Sequence, residues 1–199
     1  MEHDLHSEEL LIKQFVERLA PFTDHDWHEF WSRMTLSEFN KNDLLLKSGQ
    51  VENYLNFLVS GIARLCLSSD TKEFTLRFNF PGQFFNAYSS FFTRTPSSYS
   101  IKAITDIRLY RMSFNQLEEL YKVATNAPTI GRRALEYFYL LKEQREIRLL
   151  CFTAEENYRE LQKEQPDLIQ RIPQKYLASY LGITPQSLSR IRRQLSNKA

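Results

Sequence analysis

Gln186, Ser187, Arg190 and Arg193 fall on one side of the segment 173–195, PQKYLASYLGITPQSLSRIRRQL. These are residue types that meet nucleic acid: arginine pairs bidentately with guanine, glutamine with adenine, and hydroxyls and cations meet phosphate oxygens. Gln186 and Arg190 are four apart, so on a helix their side chains share a face. That pair is expected at base edges and Arg193 at phosphate. Thr184, Ser187 and Lys175 complete the candidate DNA-binding set.

Such residues need a rigid platform, and the same segment encodes one. Pro173 suits the first position of a short helix, where its missing N–H would be unbonded anyway. Leu177, Ala178 and Leu181 form an apolar face, with Ala178 small where a second helix must cross. Gly182 sits at the turn, where a left-handed backbone costs glycine least. Thr184 caps the second helix, Pro185 occupies its first position, and Leu188, Ile191 and Leu195 face inward. This is a helix-turn-helix pattern. An ordinary helical hairpin explains Ala178, Gly182 and the apolar positions equally well. It does not explain the charge. Residues 170–199 carry six basic side chains (Arg171, Lys175, Arg190, Arg192, Arg193, Lys198) and no acidic one, whereas residues 1–169 carry a net charge of −4. A basic tail on an acidic body points to an anionic partner, and nucleic acid is the first candidate.

The rest of the chain must present that tail. Its 199 residues, 42% hydrophobic and 25% charged, are globular in composition and suffice for one large domain or two small ones. No apolar run approaches the ~20 residues of a membrane helix. The acidic start, MEHDLHSEELLIKQF, lacks the order of a signal peptide. Cys66 and Cys151 make no disulfide framework, so a cytoplasmic location is expected. Residues 7–34 read as helical, with the apolar signal continuing after Pro21. All four histidines (His3, His6, His25, His28) lie in this region, and nothing completes a metal site around His25 and His28. Period-two alternation at Leu55, Phe57 and Val59, and at Phe74, Leu76, Phe78 and Phe80, predicts strands. Turns fall at Ser48-Gly49, Ser60-Gly61, Ser68-Ser69-Asp70 and Pro81-Gly82. A last strand is expected over Ser100–Met112, and the whole stretch as an antiparallel barrel or roll. Ser113 then caps a short helix. Pro128 opens the longest helix, reaching about Leu150, and Thr153 with Glu156 forms a capping box for the next, which ends by Pro166.

Helical lead, β-roll, long helix and helix-turn-helix, in that order, resemble the Crp/Fnr family of bacterial transcription regulators. The segment FTAEENYRELQKEQPDLIQRIPQKYLASYLGITPQSLSRIRRQ is most similar to short Bacteroidetes members. The resemblance implies an α+β architecture in three parts. Residues 1–127 would be a cyclic-nucleotide-binding-like sensor roll with flanking helices, 128–150 a long dimerisation helix, and 151–199 the helix-turn-helix domain. It implies a homodimer that enters the DNA major groove, with RNA polymerase a further candidate partner. Leu135, Phe138 and Leu141 are the expected dimer seam, although their register meets Lys142, Arg145 and Arg148 after about one and a half heptads.

Two departures stand out. Family members that bind cyclic AMP carry a cassette beginning with Gly-Glu and ending with Arg-Ser. In GQFFNAYSSFFTRTPSSYSIKA, residues 82–103, Asn86-Ala87 and Ser97-Ser98 stand at those places. A cyclic phosphate would be buried without its guanidinium, so cyclic AMP is not expected to bind. Arg94, three residues early, substitutes only if the loop is rebuilt. Any other effector would meet Tyr88, Ser89, Arg94, Ser97, Ser98 and Tyr99. The chain also ends four residues after Leu195, so the β-hairpin wing is expected to be absent or vestigial. No cofactor is expected: an iron–sulfur cluster needs about four cysteines, and no histidine after residue 28 offers a haem ligand. With no Gly-rich phosphate loop, nucleophile elbow or metal set, an enzyme is not expected. The competing reading is a small-molecule-binding or protein-interaction module that does not bind DNA.

Overall fold

Two four-stranded antiparallel sheets make up the middle of the chain. One contains β1 (Thr35–Phe39), β8 (Ile107–Ser113), β3 (Tyr54–Ser60) and β6 (Gln83–Phe85), in the order β1-β8-β3-β6. The other runs β2-β7-β4-β5, from β2 (Leu44–Leu46), β7 (Ser100–Ala103), β4 (Ala63–Ser68) and β5 (Glu73–Asn79). The computed structural model describes residues 2–69 and 72–196. Asp70 of the expected turn and Lys198 of the basic tail lie outside the described residues, as does the side chain of His3. Between the sheets, Leu46, Leu58, Leu65, Phe85, Ile101 and Leu109 form a buried apolar layer. Each contributes about 1.5–3 kcal/mol by leaving water.

The single strand expected over Ser100–Met112 is two strands in different sheets. The chain crosses between them because Thr105 and Asp106 take up backbone donors from elsewhere. Ile62 N–H donates to the Thr105 hydroxyl at 3.0 Å, and Lys41 N–H to the Asp106 carboxylate at 2.8 Å. Gly61 makes this crossing possible. Its φ is +91°, and a Cβ there would stand 2.2 Å from the Asp106 carbonyl oxygen.

The alternating residues form the strand β5, but its two faces are not the ones that hydropathy alone assigns. Asn79 pairs with Ala63 and Arg77 with Leu65, and both partners belong to the layer between the sheets. Cross-strand partners share a face. Arg77 and Asn79 therefore face the inside of the roll, while Phe78 and Phe80 face out and pack with C-terminal helices.

The predicted N-terminal helical region is two helices, α1 (Glu2–Leu19) and α2 (Asp24–Trp31), broken around Pro21. Thr23 stops continuous helix by capping α2 reciprocally with Asp26. Ile12, Phe15 and Val16 bury α1 against Phe57 and Phe84 on the outer face of the roll. A short helix, α3 (Tyr88–Thr93), follows β6, and α4 (Phe114–Val123) follows β8 with Ser113 and Gln116 as its capping box. The long helix α5 spans Ala127–Cys151. Then come α6 (Ala154–Glu164), capped by Thr153 and Glu156, and α7 (Pro166–Ile169). The chain closes with α8 (Gln174–Tyr180) and α9 (Pro185–Ser196). Pro173 is the N-cap of α8 rather than its first helical residue, with ψ of 134°. The last described residue, Ser196, is also the last of α9, so the expectation about a wing lies outside the described residues. None of the described helices is long and apolar enough to cross a membrane.

Candidate functional site

The last two helices are locked to each other before they present anything. Gly182 turns the chain at φ +71°. The Thr184 hydroxyl accepts Ser187 N–H at 3.2 Å, and Gln174 Nε2 donates to the Pro185 carbonyl at 2.8 Å. Leu177, Ala178 and Leu188 are buried between them. With α9 fixed this way, Gln186, Arg190 and Arg193 are exposed on its outer face, and Lys175 is exposed on α8. Thr184 and Ser187 are spent largely on the cap, their hydroxyls 3.0 Å apart. Arg192, by contrast, turns inward and donates to the Tyr158 hydroxyl of α6 at 3.0 Å. The basic tail therefore divides into a structural arginine and an exposed pair aligned along one helix.

This unit is docked on the roll of its own chain, which the sequence did not suggest. Phe78, Phe80, Ile62 and Ile104 of the roll join Tyr158, Leu161, Leu177 and Leu181 in one buried cluster. Polar contacts fix the register. Thr75 N–H donates to the Ser179 hydroxyl at 2.9 Å, and the Thr75 hydroxyl donates to the Tyr176 carbonyl at 3.1 Å. Arg64, fully buried, donates to Thr75 Oγ1 at 2.9 Å, pairs with Glu73 and lies 3.8 Å over the Tyr176 ring.

The expected effector residues do not converge. Ser89 and Ser98 are exposed. Ser97 is buried, but its hydroxyl donates to the Tyr99 carbonyl and its backbone bonds to Gly49 and Gln50. Arg94 sits at φ +57° at the end of α3 and clamps the preceding loop. It donates to the Glu52 carbonyl at 2.7 Å and to Asn53 Oδ1 at 2.5 Å, and lies 4.5 Å over the Phe114 ring. Its guanidinium is thus committed and does not substitute for a phosphate ligand. Glu52 was not anticipated. It is 3% exposed, and its carboxylate accepts Tyr54 N–H at 3.0 Å and Ala87 N–H at 3.3 Å, at the start of α3. Burial pushes its pKa up, and the backbone donors only partly offset this. Tyr99 packs against the layer between the sheets, Tyr88 packs instead on Phe92 and Phe138, and burial raises both phenols. A separate, carbon-lined cavity of about 70 Å³ lies where α1, α3, α4 and α5 meet, with Tyr88, Leu135 and Phe138 in its wall.

On α5, Phe138 is 8% exposed, packed 5.4 Å from the Tyr88 ring, and Leu141 leans on the same core. The roll itself covers this face, leaving only Leu135 of the expected seam largely open. Besides Leu135, the exposed large apolar residues of α5 are Tyr137, Tyr139, Leu140, Ile147, Leu149 and Leu150. Leu140 and Ile147 are seven apart and Leu150 follows three later, a heptad register on the opposite side of the helix. The apolar run 137–141 hid this second stripe. The histidines of α2, His25 and His28, are exposed, and no group of three potential metal ligands occurs among the described residues.

Residues 36–123 match the family model of the cyclic nucleotide-binding domain. No curated protein matches the chain in sequence. Among solved structures, FixK2 from Bradyrhizobium japonicum is similar, with a TM-score of 0.71 at 18% identity, over 83% of this chain and 85% of that one. The c-di-GMP responsive global regulator CLP of Xanthomonas campestris superposes with a TM-score of 0.67 at 17% identity, over 87% and 91%. The Thermus thermophilus Catabolite Activator Protein gives 0.53 at 20% identity, over 88% and 84%. Residues 36–123 are thus similar to the cyclic nucleotide-binding domain, and the chain has the fold of the Crp/Fnr regulators.

Proposed function

We propose that the protein is a sequence-specific DNA-binding transcription regulator, working as a homodimer and independently of cyclic AMP. Residues 1–127 serve as the sensor domain, 128–150 as the dimerisation helix and 151–199 as the DNA-binding unit. The observation that carries this reading is the exposed, acid-free face of α9, with Gln186, Arg190 and Arg193 projecting from a helix whose other face is buried on α8. Gln186 and Arg190 read base edges; Arg193 and Lys175 meet phosphates; Thr184 and Ser187 hold the helix end. The dimer forms along Leu140, Ile147 and Leu150, which pairs two α9 helices on two half-sites. Cyclic AMP is disfavoured because Ala87 and Ser97 supply neither carboxylate nor guanidinium, and because Arg94 is already engaged.

The test is operator selection from random duplexes, followed by binding of Arg190→Ala and Arg193→Ala to the selected site and its point variants across a salt series. Arg190→Ala is expected to relax preference at one position, at a cost of about 1–3 kcal/mol. Arg193→Ala is expected to weaken all sequences alike and to lower the salt slope by about one unit. Failure of both changes to alter affinity defeats the reading and favours a small-molecule or protein-interaction module.

A further inference from the structure

The carbon-lined cavity of about 70 Å³ lies on the opposite side of a sheet from the roll interior. Leu55 and Phe84 line it, and both belong to the face of β3 and β6 that packs with α1. Phe85, next to Phe84, belongs instead to the layer between the sheets. On the other wall stand three small residues of α5, Ala127, Gly131 and Ala134. Their spacing of i, i+4 and i+7 puts them on one face of the helix. Glycine is disfavoured in a helix interior. Here a Cβ at Gly131 would stand 2.3 Å from the Tyr121 hydroxyl oxygen, so the phenol of α4 reaches the backbone of α5 through the gap that the glycine leaves. Among the described residues, Tyr88 and Tyr121 supply the only polar side chains of the wall, and no hydrogen bond engages either hydroxyl. Burial raises both phenols. An apolar cavity of this kind stays dry when empty, so a hydroxyl on its wall finds no water there to bond. Small residues that leave a void and a hydroxyl without a partner are both unfavourable in a core, and here they occur together. A small apolar molecule with one oxygen answers both.

We infer that this cavity binds a small neutral organic molecule that carries a single hydroxyl or carbonyl oxygen, held by the Tyr121 hydroxyl. A cavity of about 150 Å³ admits a six-carbon ring, so half that volume admits about three carbons. An alcohol, aldehyde or ketone of that size fits. A charged molecule does not, because the wall offers no ion partner among the described residues. The site is separate from the nucleotide cassette, and it goes beyond the regulator reading without depending on it.

The probe is 1-propanol. The full chain, labelled with nitrogen-15, is titrated with it while the amide shifts are followed by NMR. Saturable shifts are expected at Tyr121, Gly131 and Ala134, with a dissociation constant on the order of 1 mM, in keeping with four non-hydrogen atoms. Ala134→Leu puts carbon into the space and is expected to weaken binding at least tenfold without lowering the melting temperature. Tyr121→Phe is expected to weaken 1-propanol at least threefold and to leave xenon-induced shifts at Gly131 and Ala134 unchanged, since xenon needs only the apolar volume. Cyclohexanol is expected not to saturate. The inference is overturned if the 1-propanol shifts grow linearly with concentration, if Ala134→Leu or Tyr121→Phe binds 1-propanol as the parent does, or if cyclohexanol binds as tightly. None of these measurements involves DNA, so their failure and the failure of operator selection are distinguishable.

Discussion

Replacing Arg64 with methionine should loosen the helix-turn-helix unit from the roll without unfolding either. Methionine preserves much of the aliphatic stem and removes only the guanidinium. The lost hydrogen bond to Thr75 involves a charged donor, worth about 1.5–3 kcal/mol. The stacking on Tyr176 at 3.8 Å adds about 1–2 kcal/mol. The pair with Glu73 adds little, since that carboxylate is 40% exposed and returns to water. Against these stands Arg64 Nη2, which is buried without a partner, so its removal returns about 1–3 kcal/mol. Thr75 keeps its bond to the Tyr176 carbonyl and is not stranded. The balance is a loss of about 2 kcal/mol, which for a chain of this size lowers the melting temperature by roughly 4–8 °C. Hydrogen exchange locates the effect. The Thr75 amide, bonded to Ser179, should exchange much faster, while amides of β3 and β8 should not change. A melting temperature within 1 °C of the parent, or uniform loss of protection, would refute the view of Arg64 as the rivet between the two units.

Gly61→Ala combines a left-handed φ with a 2.2 Å collision on the Asp106 carbonyl, so a loss of about 2–4 kcal/mol in urea denaturation is expected. Ile147→Glu should shift light-scattering mass toward the monomer, whereas Phe138→Ala should cost about 3–5 kcal/mol of stability without that specific shift. Glu52 has a raised pKa, so the folded state favours its protonated form. The stability this brings is present at low pH and is lost as pH rises through the usual carboxylate range to the raised value. Glu52→Gln should flatten that decline, seen as a smaller difference in melting temperature between pH 4 and pH 7. Thr153→Ala removes the capping box of α6 and should cost about 1 kcal/mol.

Local chemistry was legible in the sequence. Ser113, Thr153 and Thr184 cap where hydroxyl and following residues predict, and Gly182 turns where expected. These signals reside within four residues of each other. What remained hidden was long-range. Period two in residues 73–80 identifies a strand, but the C-terminal half of β5 is covered on both faces, so the pattern cannot say which side is the inside. Phe78 and Phe80 are covered by C-terminal helices about a hundred residues away, and the inside takes Arg77 and Asn79. Likewise, the long helix carries two apolar stripes, and only the folded chain decides that the roll takes Phe138 and leaves Ile147. The surroundings of the cassette residues are long-range in the same way. Arg94 has the right chemistry, but its backbone at the end of α3 aims it at Glu52 and Asn53.

The seating of α8 on β5 also bears on the DNA. A reading head on a swivel tolerates half-sites at several distances, whereas one bolted to its body measures a single distance. Here the bolt is Thr75, Ser179, Arg64 and Tyr176. In the proposed dimer, the gap between the two α9 helices is then a property of the roll and the long helix, and the protein acts as a ruler. Inserting one base pair between half-sites turns one of them by about 35° around the duplex axis. A rigid pair cannot follow that rotation without releasing its bolt, so in the proposed complex spacing becomes as much a part of the operator as the bases assigned to Gln186 and Arg190.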